Sequence, residues 1–114
     1  MNFAVAFERE GDELSLAFHD LEAIPTDVAN NDGPHVRTLN LAETGIKSLK
    51  ALQLFPRLQT LVLDKNALAG LLDCPPIPTL STLWFNNNSL VDLVEFIDEV
   101  ARLFPPNTGV FHAL

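Results

Sequence analysis

Apolar residues recur along this chain at a fixed spacing. Three segments, starting at Val36, Leu58 and Leu80, share the pattern L-x-x-L-x-L-x-x-N-x-L and follow one another every 22 residues. Two weaker copies flank them, one beginning near residue 11 and a partial one beginning at Thr108. Self-similarity with a period of this length predicts stacked units that bury one another's apolar faces.

The spacing within each copy predicts a short strand followed by a turn. The fourth and sixth positions are two residues apart, so both side chains point to one side of the strand and into a core. Asn66 and Asn88 follow two of the strands, where buried amides can bond the backbone of neighbouring coils. Thr44 and His19 stand at the equivalent positions of other copies. The predicted fold is an α/β solenoid, a short leucine-rich-repeat horseshoe with a parallel concave sheet.

An N-terminal β-hairpin is predicted as the cap of the first coil. Residues 2–8 and 13–18 flank the sequence Glu10–Asp12, which resembles a β-hairpin turn. Such a hairpin would present an acidic outer face. We expect one leucine-rich repeat domain over residues 1–114, with 1–13 as its cap.

A helix is predicted in the last full repeat. Asp92, with Glu95 three residues later, resembles a capping box, and Pro105 ends the segment. The stripe expected to face the core consists of Leu93, Ile97, Val100 and Phe104. Two other segments are predicted to be irregular: the proline-rich 73–78 as an extended convex loop, and the turn-rich 30–35 as a connector that lengthens the first period.

Composition and charge narrow the classes of function. The chain has 114 residues, 47% of them apolar, and a net charge of −8. A negative field repels phosphates, so neither nucleic acid nor an anionic membrane is expected as a partner. Cys74 is the single cysteine, which excludes an intrachain disulfide. The sequence begins without a signal-peptide core or membrane helix, so we expect an intracellular, cytoplasmic protein without membrane insertion.

The residue types that carry catalysis are not expected to meet. Cys74 lies in the proline-rich loop, whereas His19 and His112 belong to strand-side positions of distant coils. The sequence has no G-x-S-x-G, H-E-x-x-H or phosphate-cradling glycine motif. The acidic residues at 95, 98 and 99 are predicted to form the polar side of the last helix. We therefore expect no enzyme, with no catalytic residue, cofactor or metal site.

The outward strand positions form the candidate binding surface. The fifth positions of the copies make a row across the sheet: Ser15, Asn40, Val62, Trp84 and His112. The single tryptophan is expected to face solvent, and an exposed tryptophan often anchors an interface. The candidate partner-binding residues are Trp84, Val62, Asn40, Asn86, Thr82, Thr60, Lys65 and Arg37.

Alternatives remain open for several positions. Trp84 either contacts a partner, or only covers a shallow groove, or packs on His112 and a C-terminal segment. Asn86 and Asn87 either hydrogen-bond a partner or serve as turn residues, and Phe18 either extends the surface or packs under the hairpin. A net basic segment, residues 33–65, lies between two acidic ends; it either docks an acidic partner or is a solvated face with scattered ion pairs.

The pattern resembles the 22-residue, SDS22-like class of leucine-rich repeats. Within it, the runs Leu14–Pro25, Leu63–Asn66 and Leu90–Asn107 are similar to the family of the leucine-rich melanocyte differentiation-associated protein. The resemblance implies a non-catalytic adaptor or scaffold in endosomal or lysosome-related-organelle trafficking, with a protein partner on the concave sheet. Alternatives are a permanent structural subunit, joined through its convex loops or C-terminal edge, and a phosphatase-regulatory repeat protein. The fifth copy stops mid-strand, which favours a longer parent protein or self-association through an uncapped C-terminal edge.

Overall fold

Short strands form a single sheet whose order follows the chain. The computed structural model describes residues 7, 9–71 and 73–112. The strands within this part are β1 (Arg9–Glu10), β2 (Glu13–Ser15), β3 (Thr38–Asn40), β4 (Thr60–Val62), β5 (Thr82–Trp84) and β6 (Gly109–Phe111). β1 pairs antiparallel with β2, and each later pair of neighbours is parallel. In the same part of the chain, the α-helices α1 (Thr26–Asp32) and α2 (Leu93–Leu103) lie in the connections.

The register of the parallel strands reproduces the sequence period. Thr38 pairs with Thr60, and Thr60 pairs with Thr82, so equivalent residues 22 positions apart are neighbours. The next position forms a buried row of Leu14, Leu39, Leu61 and Leu83. Two residues further on, a second buried row consists of Leu16, Leu41, Leu63 and Phe85. The predicted α/β class with a parallel sheet is confirmed.

Buried polar side chains tie neighbouring strands together. The Asn66 amide donates to the carbonyls of Leu41 at 2.8 Å and Leu63 at 3.0 Å, and its oxygen accepts from the Thr44 N–H at 2.9 Å. Asn88 repeats the arrangement one strand later, donating to Leu63 O at 2.9 Å and accepting from Asn66 N–H at 3.0 Å. Thr44, where asparagine was expected, donates its hydroxyl to Leu41 O at 2.9 Å. The predicted role of these amides is confirmed.

The N-terminal hairpin is present but shorter than predicted. Gly11, with φ of +61°, makes the turn between β1 and β2. Most of the expected first strand lies outside the described residues. The extension of the second strand to Phe18 is wrong, because β2 ends at Ser15. Phe18 has a φ of +68° and is 76% exposed, so it does not pack under the hairpin.

The segment expected to be an irregular connector contains helical structure. α1 ends at Asp32 and a 3-10 turn follows over Gly33–His35. The turn-forming residues of this segment conceal the helix in the sequence, and packing decides the outcome: Ala29 is fully buried. Gly33 is buried so closely that a Cβ there would clash with the carbonyl oxygen of Leu54.

α2 has the predicted N-terminus but buries a different stripe. The Asp92 carboxylate accepts from the Glu95 N–H at 3.0 Å, as an N-cap does. Leu93 and Ile97, expected in the core, are 55% and 57% exposed, so that part of the prediction is wrong. The buried residues of α2 and its C-cap are Phe96, Glu99, Leu103 and Phe104.

Two contacts of α2 explain why it buries a different stripe of residues from the predicted one. The rings of Phe96 and Phe85 lie 4.8 Å apart, which draws Phe96 into the core. Both oxygens of the Glu99 carboxylate accept from the Leu71 N–H, each at 3.2 Å. Glu99 was expected on the polar side of the helix; instead it is only 5% exposed and joins α2 to the connection between β4 and β5.

Candidate binding surface

One side of the sheet is open. Because the central leucine of each strand points into the core, the residues on either side of it point the other way. They form two rows in register across the strands, Glu13, Thr38, Thr60, Thr82 and Gly109 in one, and Ser15, Asn40, Val62, Trp84 and Phe111 in the other. All ten are exposed or half-buried. We call this surface the open face.

An aromatic pair marks the β5–β6 end of the open face. The rings of Trp84 and Phe111 stack with centroids 4.2 Å apart and planes within 13°. Phe111 is 45% exposed. Its ring leans over Gly109, where a Cβ would meet Phe111 Cε2 at 3.8 Å. With Val62 next to Trp84 in the row, this end of the open face is apolar.

The sequence alignment placed His112 in this row, and that placement is wrong. β6 pairs Phe111 with Trp84, one residue earlier than expected, and a one-residue shift exchanges the two faces of a strand. His112 instead lies with its ring 6.1 Å from that of Phe96. Val110 fits the inward leucine position as well as Phe111 does, so the apolar pattern alone could not reveal the second aromatic residue.

Two carboxylates mark the other end of the open face. Glu10 and Glu13 are direct partners across the antiparallel β1–β2 pair, so their side chains point to the same side. Among the described residues neither makes an ion pair, and Arg9 lies 3.4 Å from Asp32 instead. A shallow cleft of about 340 Å³ opens here, lined by Glu10, Glu13, Leu14, Ser15, Thr38 and Asn40.

The structure brings five of the eight candidate residues together on the open face: Asn40, Thr60, Val62, Thr82 and Trp84. Arg37 is exposed just before β3. Lys65 has a φ of +60° in the turn after β4. Asn86 lies after β5, where its N–H donates to Asp64 Oδ1 at 2.7 Å and its carbonyl accepts from Lys65 N–H at 2.9 Å. Asn86 is thus a turn residue.

Cys74, the single cysteine, is buried. Burial, followed by the nearby carboxylates of Asp73 and Glu99, raises the pKa of the Cys74 thiol to about 12. The thiol is therefore protonated at neutral pH and is a poor nucleophile.

No three His, Cys, Asp or Glu residues of the described part are placed to hold a metal ion. Within the same residues, no helix has the length and apolar character needed to cross a membrane.

Two further surfaces lie away from the open face. Four apolar side chains around the start of α2 are exposed, at 86%, 55%, 70% and 57% for Val91, Leu93, Val94 and Ile97. We call them the α2 patch. In the basic segment, Lys47 lies 3.4 Å from Glu22, and both side chains are largely exposed, so this ion pair contributes little to stability.

Comparison with known proteins identifies no relative of the chain. No protein-family model matches the sequence, and no curated protein or solved structure matches it either. The function is therefore argued from the surface itself.

Proposed function

We propose that this chain is a short leucine-rich repeat solenoid that binds a protein partner on its open face without catalysis. The observation that carries the proposal is the aromatic stack of half-buried Trp84 and exposed Phe111 on the uncovered side of the sheet. On the strength of the sequence resemblance, the proposal extends to endosomal or lysosome-related-organelle trafficking as its setting.

Three features support the solenoid. Parallel strands follow one another in chain order, with equivalent residues in register. The amides of Asn66 and Asn88 repeat the same bonds one unit apart. The molecule is elongated, with principal extents of 46 × 25 × 19 Å. A stack of such units leaves one sheet surface uncovered along its length, and in a solenoid this is the concave binding surface.

The composition of the open face supports binding rather than simple solvation. Tryptophan and other aromatic residues bury a large surface area on binding at little cost in side-chain entropy. They are enriched at the centres of interfaces. Trp84 and Phe111 are already stacked, so their orientation is fixed before a partner arrives. Thr60 and Thr82 beside them offer hydroxyl groups for hydrogen bonds around an apolar anchor.

Affinity capture from a cell lysate with mass spectrometry tests the proposal. The wild-type chain, Trp84→Ala and Ile97→Ala are compared, and each variant is checked by its melting curve. The matched control removes an exposed apolar side chain from the α2 patch instead of the open face. A partner that is retained by wild type and Ile97→Ala but lost with folded Trp84→Ala supports binding on the open face.

A second candidate function is that of a structural subunit held in an assembly through the α2 patch. The observation that favours it is the 86% exposure of Val91 and the 70% exposure of Val94, next to Leu93 and Ile97. Contiguous exposed apolar side chains mark many interaction surfaces. The same experiment separates the two candidates, because a partner lost with Ile97→Ala and kept with Trp84→Ala contradicts the open face as the site.

A further inference from the structure

The open face changes character steadily from one end to the other. At β1–β2 it is acidic, with Glu10 and Glu13 around the cleft. At β3 and β4 it carries hydroxyl and amide groups, and at β5–β6 it ends in the stack of Trp84 and Phe111. A partner that lies along this row meets a negative site, then hydrogen-bonding groups, then an apolar anchor site.

The acidic end has two neighbouring carboxylates that make no ion pair among the described residues. Like charges directly opposite each other in a β-pair repel, and Glu10 and Glu13 occupy such positions. The nearest basic residue along the chain, Arg9, does not offset this repulsion, because its Nε lies 3.4 Å from Asp32 Oδ1 and its side chain also donates to the Gly11 carbonyl. A lysine or arginine side chain entering the cleft would compensate both carboxylates at once.

The sheet sets the distance between the two ends. Neighbouring strands lie about 4.8 Å apart, so the midpoint of β1–β2 is about 19 Å from the midpoint of β5–β6. An extended chain rises about 3.3 Å per residue and covers that distance in about six residues. One short segment can therefore reach the acidic cleft and the aromatic stack together.

We propose that the open face recognises an extended peptide segment of the partner, in which a lysine or arginine lies about six residues from a large apolar or aromatic residue. The basic side chain binds between Glu10 and Glu13, and the apolar side chain packs on Trp84 and Phe111. The segment crosses the strands. This inference rests on the proposed function and specifies the partner's chemistry.

Selection from a random peptide library tests the inference directly. A displayed library of 12-residue peptides is selected on the immobilised full chain, and enriched peptides are synthesised and measured by fluorescence anisotropy. The variants are Trp84→Ala, the pair Glu10→Gln with Glu13→Gln, and a control pair, Glu95→Gln with Asp98→Asn. The control removes two exposed carboxylates of α2, away from the open face.

The expected result has three parts. Enriched peptides share a lysine or arginine five to seven residues from an aromatic or large apolar residue. Trp84→Ala weakens their binding at least about 30-fold, as the loss of an interface anchor does. The Glu10 and Glu13 pair variant weakens it about tenfold, with a reduced dependence on salt, while the control pair leaves it unchanged. The pair variant melts no lower than the wild type, because it removes a repulsion.

Two results contradict the inference in distinguishable ways. If the peptides depend on Trp84 but lack the basic residue, or bind the Glu10 and Glu13 pair variant as well as wild type, the inference fails and the proposed function stands. If the selection yields no peptide that depends on Trp84, the open face is not a peptide-binding surface. The inference then fails, and the lysate capture with Trp84→Ala decides separately whether the proposed function fails with it.

Discussion

Asn66 makes more hydrogen bonds than any other side chain in the described part of the chain. Its amide group donates to Leu41 O and Leu63 O, and its oxygen accepts from the N–H groups of Thr44 and Gly45. Asn66 is 6% exposed, so water cannot replace these bonds. The side chain therefore adds to the backbone hydrogen bonds between the turns of neighbouring strands, such as that from Glu43 N–H to Asp64 O at 3.1 Å.

Replacement of this amide tests its contribution. We expect Asn66→Ala to lower the free energy of unfolding by about 3 kcal/mol or more, because several buried backbone groups lose their partner at once. Urea unfolding measures the change. The control is Asn30→Ala, an exposed position of α1, for which we expect a change within about 0.5 kcal/mol. Equal effects of the two substitutions would contradict the structural role of Asn66.

Cys74 makes the free energy of unfolding depend on pH, in a direction that its raised pKa determines. Its pKa is raised from 9.0 to about 12 in the folded chain, first by burial and then by Asp73 and Glu99. The folded state therefore favours the neutral thiol. This contribution to stability is complete below about pH 9 and is lost as the pH rises towards 12.

The measurement is urea unfolding at pH 8, 9 and 10. Relative to Cys74→Ala, the wild type should lose about 1.4 kcal/mol of its free energy of unfolding by pH 10, since one pH unit above the unfolded pKa corresponds to that amount. The alanine variant shares every other titrating group, so the difference isolates the thiol. Parallel pH curves for the two proteins would show that the folded chain does not hold the thiol neutral.

At the scale of elements, α2 is the part whose burial differs most from expectation. Phe96 is 3% exposed and packs on Phe85, whereas its neighbour Ile97 is 57% exposed. We expect Phe96→Ala to cost about 3–5 kcal/mol of stability and Ile97→Ala to cost less than about 1 kcal/mol. Thermal and urea unfolding of the two variants provide the comparison. The reverse order would restore the stripe inferred from the sequence.

The sequence predicts the elements whose apolar residues recur with a fixed period. It fails where tertiary packing determines which residues are buried. Leu39, Leu61 and Leu83 recur with the period of the sheet, so their strands and inward direction could be inferred. The rotation of α2 could not, because apolar residues occur on both of its sides and a buried carboxylate, that of Glu99, sets the choice. α1 was missed for a related reason, since its turn-forming residues carry little helix propensity and the burial of Ala29 outweighs it.

The candidate site likewise contains residues that the sequence could place and residues that it could not. Trp84 and Val62 could be placed on the open face because their strands follow the 22-residue period exactly and each has a leucine at its centre. Phe111 could not, because the last connection has a different length and two alignments of β6 fit the apolar pattern equally well. The partnership of Glu10 with Glu13 depends on the hairpin register, which the turn sequence alone leaves open.

At the scale of the whole molecule, the buried apolar residues of the described part form one cluster. It runs from Leu14 and Leu16 at the β2 end to Phe85 and Phe96 at the β5 end. A sheet whose units bury only their neighbours can unfold from one end, whereas a continuous core couples the ends. Trp84, the single tryptophan, reports on the β5–β6 end and can distinguish the two cases.

Leu16→Ala removes a fully buried side chain from the opposite end of that core. We expect it to lower the free energy of unfolding by about 2–5 kcal/mol. Because the core is continuous, the transition seen by Trp84 fluorescence should move to lower urea concentration by the same amount as the transition seen by far-ultraviolet circular dichroism. If the fluorescence transition stays at its wild-type midpoint while the dichroism transition moves, the two ends unfold independently. The open face would then be held together at its aromatic end without support from its acidic end, and a partner spanning both ends would have to supply the coupling itself.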